Sequence, residues 1–399
     1  MDRWSTSASV ALAEQISPAA PDAFIYQTHP KMKILQILPE LNSGGVERGT
    51  LEIAAHLVRN GHEAVVVSNG GRLVGALEKS GARHVAMPVH KKSLATLLQV
   101  RPLRRLLERE RPDIVHIRSR VPGWVAWLAW RGLPEATRPR LVSTVHGFYS
   151  VNAYSAVMTR GERVIAVSGS VRDYVLKNYP AVSAERLRVI HRGVDPEEFP
   201  RGYRPSAEWL ARWHAANPML RGKRTLLLPG RITRWKGQED FLELVAALKA
   251  RGEPVHGLIA GETHPKKRAY GEELRARAVE LGVAEEVTFL GHRDDVREVM
   301  AVSDIVLSLS REPEAFGRVS LEAAALGRPV VGCDHGGVGE QLRALFPQGL
   351  VPVGDAEKLA NVCARLLYEG GTPGEIVEPF TLEAMKRATL EVYRELLVL

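Results

Sequence analysis

The stretch 33–68, KILQILPELNSGGVERGTLEIAAHLVRNGHEAVVVS, decides the fold. Lys33 through Leu38 form a short apolar run of strand type, and Ser43-Gly44-Gly45-Val46-Glu47-Arg48-Gly49 is a glycine-rich turn. Leu51, Ala54, Ala55 and Val58 then recur at spacings of three and four, with Gly61 as terminator, so the spacing predicts a helix. Ala64-Val65-Val66-Val67-Ser68 is a second buried strand. This is a βαβ unit, and similar alternation runs outward from it. Further strand runs fall at 84–87, 114–117, 141–145, 164–167 and 187–190. Such alternation predicts a mainly parallel sheet with helices on both faces.

Around 196–224 the periodicity lapses into a stretch rich in proline and charge, where a domain boundary is expected. A second series follows: a strand at 225–230, a helix over 238–250, a strand at 255–261, a helix over 272–281, strands at 287–291 and 304–310, a helix through 321–326, and a strand at 329–334. The expected fold is α/β, with two Rossmann-like domains (32–200 and 201–379) facing across a cleft. Residues 1–31 read as a flexible leader, and a helix within 380–399 should pack back on the first domain. In open parallel sheets the ligand crevice lies at the carboxyl ends of the strands. Two facing domains therefore put the site between them.

At 45% hydrophobic and 25% charged residues, the chain has a soluble globular composition, which excludes wholesale disorder and collagen. The two cysteines, Cys333 and Cys363, cannot build a disulfide framework, and no Cys/His group has zinc-ligand spacing, which points to the cytoplasm. No apolar run approaches the roughly 20 residues of a membrane span. The apolar stretch at 10–13 is too short for a signal peptide. The net charge of +8 is unevenly placed: residues 91–120 carry nine Lys or Arg against three acidic residues. Such a patch suits an anionic partner or a solvated helix face.

Four features carry chemistry. The Gly44-Gly45 turn lets the backbone approach a ligand at a helix N-terminus, although it is not the G-x-G-x-x-G of a dinucleotide site. Leu226-Leu227-Leu228-Pro229-Gly230-Arg231 delivers Arg231 and Lys236 from a strand end, where fixed cations can stabilise a departing diphosphate. Glu314 precedes a helix and Glu322 lies inside it among Leu321, Ala323 and Ala324, an apolar setting in which a carboxylate needs a partner such as a ribose diol. His146 ends a buried strand, where catalytic residues collect. The structural alternatives are a ligand-free turn, exposed loop cations, a cap for Glu314, a salt bridge for Glu322 and a structural histidine.

Together with Gly336-Gly337-Val338-Gly339-Glu340, these residues resemble, in order, the retaining GT-B glycosyltransferases of family 4, over 33–399. The resemblance implies a nucleotide diphosphosugar donor, a UDP- or GDP-sugar, and no cofactor or metal. It implies that Arg231 and Lys236 hold the diphosphate, Glu322 the ribose and Glu314 the sugar hydroxyls. The amides of Ala315, Phe316 and Gly317 would orient sugar and phosphate, Gly44 and Gly45 would close over the phosphates, and His146 would face the reaction centre. Gly291-His292-Arg293 would form the base-binding loop, with Arg293 as a contact. Two departures stand out. The family's Pro-Asn-Gly-Val-Asp reads His191-Arg192-Gly193-Val194-Asp195, and Glu-Gly-Phe-Gly reads Glu314-Ala315-Phe316-Gly317, with a second acid at Glu312.

Family members acting on lipid-linked acceptors often carry a basic amphipathic helix on the first domain, and 91–111 looks like one. Leu94, Leu97, Leu98, Leu103, Leu106 and Leu107 would supply its apolar surface, and Pro102 would split it in two. Lys91, Lys92, Arg101, Arg104 and Arg105 would meet an anionic membrane or acceptor. Trp124, Trp127 and Trp130, spaced by three, read as helix packing or an interfacial row. The expectation is a peripheral enzyme on the cytoplasmic face of the inner membrane. Its acceptor would be a lipopolysaccharide core, another glycolipid or a polysaccharide, and no nucleic acid is expected. A sugar-nucleotide epimerase and a non-catalytic nucleotide-sugar binder are the alternatives.

Overall fold

The computed structural model describes residues 30–397, apart from Ser43 and 264–267. The leader at 1–31 therefore lies almost wholly outside the described residues. The first sheet has seven parallel strands: β1 (Lys33–Ile37), β2 (Glu63–Ser68), β3 (Arg83–Ala86), β4 (Ile114–Ile117), β5 (Arg140–Val145), β6 (Arg163–Ala166) and β7 (Leu187–Val189), in the order 3-2-1-4-5-6-7. The second has six: β8 (Arg224–Pro229), β9 (Val255–Ala260), β10 (Val287–Gly291), β11 (Ile305–Ser308), β12 (Val330–Cys333) and β13 (Leu350–Val351), in the order 10-9-8-11-12-13. Both are Rossmann-like.

The strand order reverses between β1 and β4 in one sheet and between β8 and β11 in the other. At such switch points the following loops diverge to opposite faces and leave a crevice. The loops concerned begin at Leu38, Arg118, Gly230 and Leu309, which places Gly44-Gly45, Arg231 with Lys236, and Glu314 at these crevices, while His146, Gly291-His292-Arg293 and Gly336–Glu340 follow other strands, β5, β10 and β12.

Central strands are buried on both faces. Ile34, Leu35, Ile37, Val65, Val66 and Val67 are all within 1% of full burial, as continuous apolar runs in a parallel sheet require. The helix Gly45–Arg59 buries Ile53, Ala54 and Leu57 against them. The final helix, Leu382–Leu397, returns to the same apolar cluster with Met385, Leu390, Tyr393 and Leu396. Tyr393 also shares a 2.7 Å hydrogen bond with Nδ1 of the buried His116 on β4.

Two segments differ from the sequence expectation. The interval 196–224 contains a helix, Ala207–Ala216, capped by Ser206 Oγ and organised by the stacked rings of Trp209 and Trp213, 5.2 Å apart. Its apolar surface is carried by two indoles rather than by an aliphatic stripe, which hid its period.

The basic segment is a 3-10 turn, Leu94–Gln99, followed by a helix, Val100–Glu110. The break comes before Val100. Pro102 sits in the first helical turn, where its missing N–H costs nothing. Leu103, Leu106 and Leu107 enter the core, while Leu94 is 86% and Leu98 73% exposed. Lys91, Lys92, Arg101 and Arg105 are on the surface. Arg104 is withdrawn from it: the guanidinium lies against Gly132 so closely that a Cβ there would fall 1.9 Å from Nη2. Trp124 and Trp130 are half-buried and donate to the carbonyls of Tyr154 and Pro139 at 2.9 and 2.6 Å, so they pack inward.

Candidate active site

The second-lobe crevice is built from glycines. Gly237 has φ of +77°, and a Cβ there would fall 2.1 Å from the Leu309 carbonyl oxygen, so only glycine lets the loop after β8 lie against the loop after β11. Gly336 and Gly337 do the same beneath 314–317, where Cβ atoms would strike the Glu314 carbonyl oxygen at 2.5 Å and Phe316 Cα at 2.4 Å.

The loop between them is tied down from behind. The Glu314 carbonyl accepts from Gly337 N–H at 2.8 Å, the Phe316 carbonyl from Gln341 Nε2 at 2.6 Å, and the Gly317 carbonyl from Ser320 Oγ at 2.8 Å. Among the described residues, the N–H groups of Ala315, Phe316 and Gly317 have no such partner. They precede the helix Arg318–Ala325, and free N–H groups at a helix N-terminus suit negative charge.

Lys236 Nζ lies 2.8 Å from Glu314 Oε1, which also accepts from Ser310 Oγ. The cation expected on the diphosphate and the acid expected on the sugar are thus paired with each other. Glu312 is exposed, whereas Glu314 is half-buried. Arg231 is exposed and makes no ion pair among the described residues, while its carbonyl accepts from Gln238 at 3.1 Å.

Glu322 makes a 3.2 Å ion pair with Arg318, one turn earlier, and Arg318 Nη1 lies 4.0 Å from Glu52 of the first lobe. Burial raises the Glu322 carboxyl above its ordinary range, against the pull of Arg318. Arg318 was legible as the i−4 neighbour of Glu322, yet the sequence reading passed over it.

The guanidinium of Arg293, in the loop expected to bind the base, is already paired with a carboxylate. Two bonds of 2.7 and 2.6 Å bind it to Asp295, and it lines a cavity of about 760 Å³ with Trp209, His292 and Asp294. A separate cavity of about 380 Å³ lies at the ends of β8, β9 and β10, lined by Ile232, Gly261, Phe289 and Gly291. Ile232 is the residue after Arg231.

On the first lobe, Gly44 has φ of +147° and caps the helix Gly45–Arg59, and a Cβ on Gly45 would lie 3.7 Å from Arg318 Cδ across the cleft. His146 follows β5. Burial, then Arg192, Arg118 and His116, hold its imidazole well below the usual range, so it is neutral at physiological pH. Arg192 Nη2 lies 2.7 Å from His146 Nδ1.

The His146 N–H donates to Tyr149 Oη at 3.1 Å. Arg120 lies 4.6 Å from the Tyr149 ring centre and 5.5 Å from that of Tyr154, and Lys92 Nζ lies 4.7 Å from Tyr154. Lys92 and Tyr154 in turn line an apolar groove of about 630 Å³ with Leu94, Leu97, Trp124 and Leu128. Arg120, Tyr149 and Tyr154 escaped the sequence reading, because nothing in their spacing shows that the loop after β5 converges on the first turn of the helix Arg120–Arg131. Among the described residues, no group of three or more His, Cys, Asp or Glu is placed to hold a metal ion, and no helix is long and apolar enough to cross a membrane.

Comparison with known proteins bears on the fold and the family. Residues 43–198 match the model of Glycosyltransferase Family 4, and 211–378 that of Glycosyl transferases group 1. The D-inositol 3-phosphate glycosyltransferase of Saccharomonospora viridis is 29% identical over 318 residues, 71% of this chain and 70% of its own length. A glycosyltransferase from Rickettsia africae superposes with a TM-score of 0.79 at 28% identity, covering 92% of this chain and 99% of that one. Anabaena Alr3699/HepE in complex with UDP-glucose shares the fold, with a TM-score of 0.75 at 21% identity, covering 91% of this chain and 100% of that one.

Proposed function

The chain belongs to family 4 of the GT-B glycosyltransferases, and from that premise we propose that it moves a hexosyl group from a UDP- or GDP-sugar to an anionic glycolipid, such as a lipopolysaccharide core. The transfer retains anomeric configuration, needs no metal, and takes place on the cytoplasmic face of the inner membrane. Donor diphosphate engages Arg231 and draws Lys236 away from Glu314, which frees that carboxylate for the sugar hydroxyls. Glu322 exchanges Arg318 for the ribose diol. The N–H groups of Ala315, Phe316 and Gly317, with Gly44 and Gly45 opposite, receive the phosphates and stabilise the charge that develops as the diphosphate leaves. The anomeric carbon–oxygen bond to phosphate breaks as the acceptor oxygen bonds on the same face, and the acceptor proton passes to the departing phosphate oxygen.

One observation supports the acceptor class above the others. The apolar groove of about 630 Å³ is joined to His146 by a continuous chain of contacts through Tyr154, Arg120 and Tyr149. A lipid chain in the groove would thereby leave its anionic headgroup at Lys92 and Arg120, beside the reacting centre.

The test is transfer of labelled sugar from UDP- and GDP-donors to anionic glycolipid in vesicles, with and without EDTA. Label should enter the organic phase with the donor's anomeric configuration, indifferent to EDTA. Free sugar, epimerised donor or binding without turnover would each overturn the reading.

A further inference from the structure

The donor–acceptor logic of one hydrogen bond carries a further assignment. Arg192 lies at the end of the first lobe, in a segment that the last helix holds rigidly. Val194 N–H donates to the Phe380 carbonyl at 3.0 Å, and Leu382 N–H to the Val194 carbonyl at 2.9 Å. A Cβ on Gly193 would fall 2.3 Å from the Leu382 backbone. The Arg192 side chain runs inward, 8% exposed, with Nη1 3.5 Å from Met385 Sδ. Gly49 makes room for it, since a Cβ there would fall 2.5 Å from Arg192 Nη1 and 3.1 Å from Arg118 Nη2. Two guanidinium groups therefore converge under the first helix, and among the described residues no carboxylate is in direct contact with Arg192. Glu52 balances the charge from a distance, as does Glu47 on the Arg118 side.

A guanidinium has only donors. Its Nη2, 2.7 Å from His146 Nδ1, can make a bond only if Nδ1 offers a lone pair. Burial, with Arg118 beside it, pulls Arg192 down to about 9, so it is still a cation at neutral pH. The imidazole proton must then sit on Nε2, an atom shielded from water with no partner among the described residues. A buried donor without an acceptor is costly and calls for an explanation.

We infer that Arg192 is a positioning residue: by donating to Nδ1 it fixes His146 as the Nε2–H tautomer, so that His146 serves the reaction as a hydrogen-bond donor to a substrate oxygen and not as a base. The oxygen belongs to the class of sugar hydroxyls or acceptor hydroxyls, and the role rests on the reading that His146 faces the reaction centre. The groups that act on the ring are Arg192, Arg118 and His116, with Tyr149 held on the His146 backbone.

The test is the ¹⁵N spectrum of histidine-labelled protein at neutral pH, with the His146 signal identified by its loss in His146→Gln. The wild type should show Nδ1 unprotonated and Nε2 protonated. Arg192→Lys, which keeps a donor that cannot accept, should preserve that pattern, and Arg192→Met should give a mixture of tautomers. In Arg192→Met, kcat should fall on the order of 10²-fold with the donor KM little changed. A proton on Nδ1 in the wild type, or an unaltered tautomer in Arg192→Met, would overturn the assignment. The wild-type spectrum decides the point even if Arg192→Met fails to fold. A wild type that shows the stated tautomer yet transfers no sugar would sustain the role of Arg192 on the ring and count against the proposed reaction instead.

Discussion

Glu340 of the second lobe caps a helix of the first: its carboxylate accepts from the N–H of Ser170 at 2.6 Å, and also from Gly169 N–H at 2.9 Å. His191 Nε2 closes the group at 3.1 Å. An acid at a helix N-terminus, satisfying orphan donors, is a favourable pairing, and here it is made between lobes. The helix Gly169–Asn178 thereby becomes a fixed point about which the cleft is set.

Burial alone would raise the Glu340 carboxyl, but the hydrogen bonds from His191, Ser170 and Gly169 prevail and pull it down to about 2. A carboxyl lowered in the folded state contributes stability above its unfolded value, here 4.5, and loses it as pH falls toward 2. The contribution at neutral pH is on the order of 3 kcal/mol. Unfolding followed against pH should therefore show a steep acid limb between about 4.5 and 2, which Glu340→Gln flattens while lowering stability at neutral pH. Parallel limbs in the two proteins would remove the clasp from the account.

Gly337→Ala should damage the donor loop from behind, by pushing on the backbone of Phe316, whose N–H faces the donor. The new Cβ would fall 2.4 Å from Phe316 Cα and 2.5 Å from its oxygen, and backbone cannot yield cheaply. We expect a loss of about 1 to 3 kcal/mol, with donor affinity falling alongside. Gly75→Ala, in a helix with nothing within 4 Å of the new carbon, is the control and should be neutral or stabilising by about 0.5 to 1 kcal/mol. Calorimetric melting of both variants separates the two.

Much of this was legible in the sequence, for local reasons. The helix over 238–250 and the strand at 114–117 match the structure residue for residue, because buried parallel strands and capped helices announce themselves within one window. Glu314 and Lys236, both named from their motifs, lie 2.8 Å apart. What the sequence hid is pairing over distance: Arg192 with His146, Glu340 with Ser170, and Arg120 between two tyrosines. Charge counting alone could not separate Arg104, folded inward, from Arg105 beside it.

The exposed basic surface should govern contact with lipid. Lys91 and Arg105 are exposed near Leu94 and Leu98, so Lys91→Glu with Arg105→Glu should abolish co-sedimentation with vesicles rich in anionic lipid and leave the melting temperature unchanged. Attraction of this kind is screened by salt, so raising ionic strength should weaken wild-type binding. Equal sedimentation of wild type and variant would exclude this surface from membrane contact.

Both cysteines should be silent. Burial, then Asp240 and Glu314, push the Cys333 thiol up to about 12, and burial pushes Cys363 up as well. The thiolate is the reactive form. Maleimide should label neither residue in the native protein at neutral pH and both after unfolding in guanidinium chloride, as mass spectrometry would show.

The central claim is that Arg231, Lys236, Glu314 and Glu322 form a nucleotide-sugar site, and thermal stabilisation tests it most directly. A ligand that binds the native state alone raises the melting temperature by mass action. Purified protein should be melted against UDP-, GDP- and ADP-sugars, alongside Arg231→Ala and Glu322→Ala. One nucleotide class should raise the melting temperature of the wild type, and both variants should lose that shift. No shift with any donor, or a shift that survives in both variants, would contradict the claim.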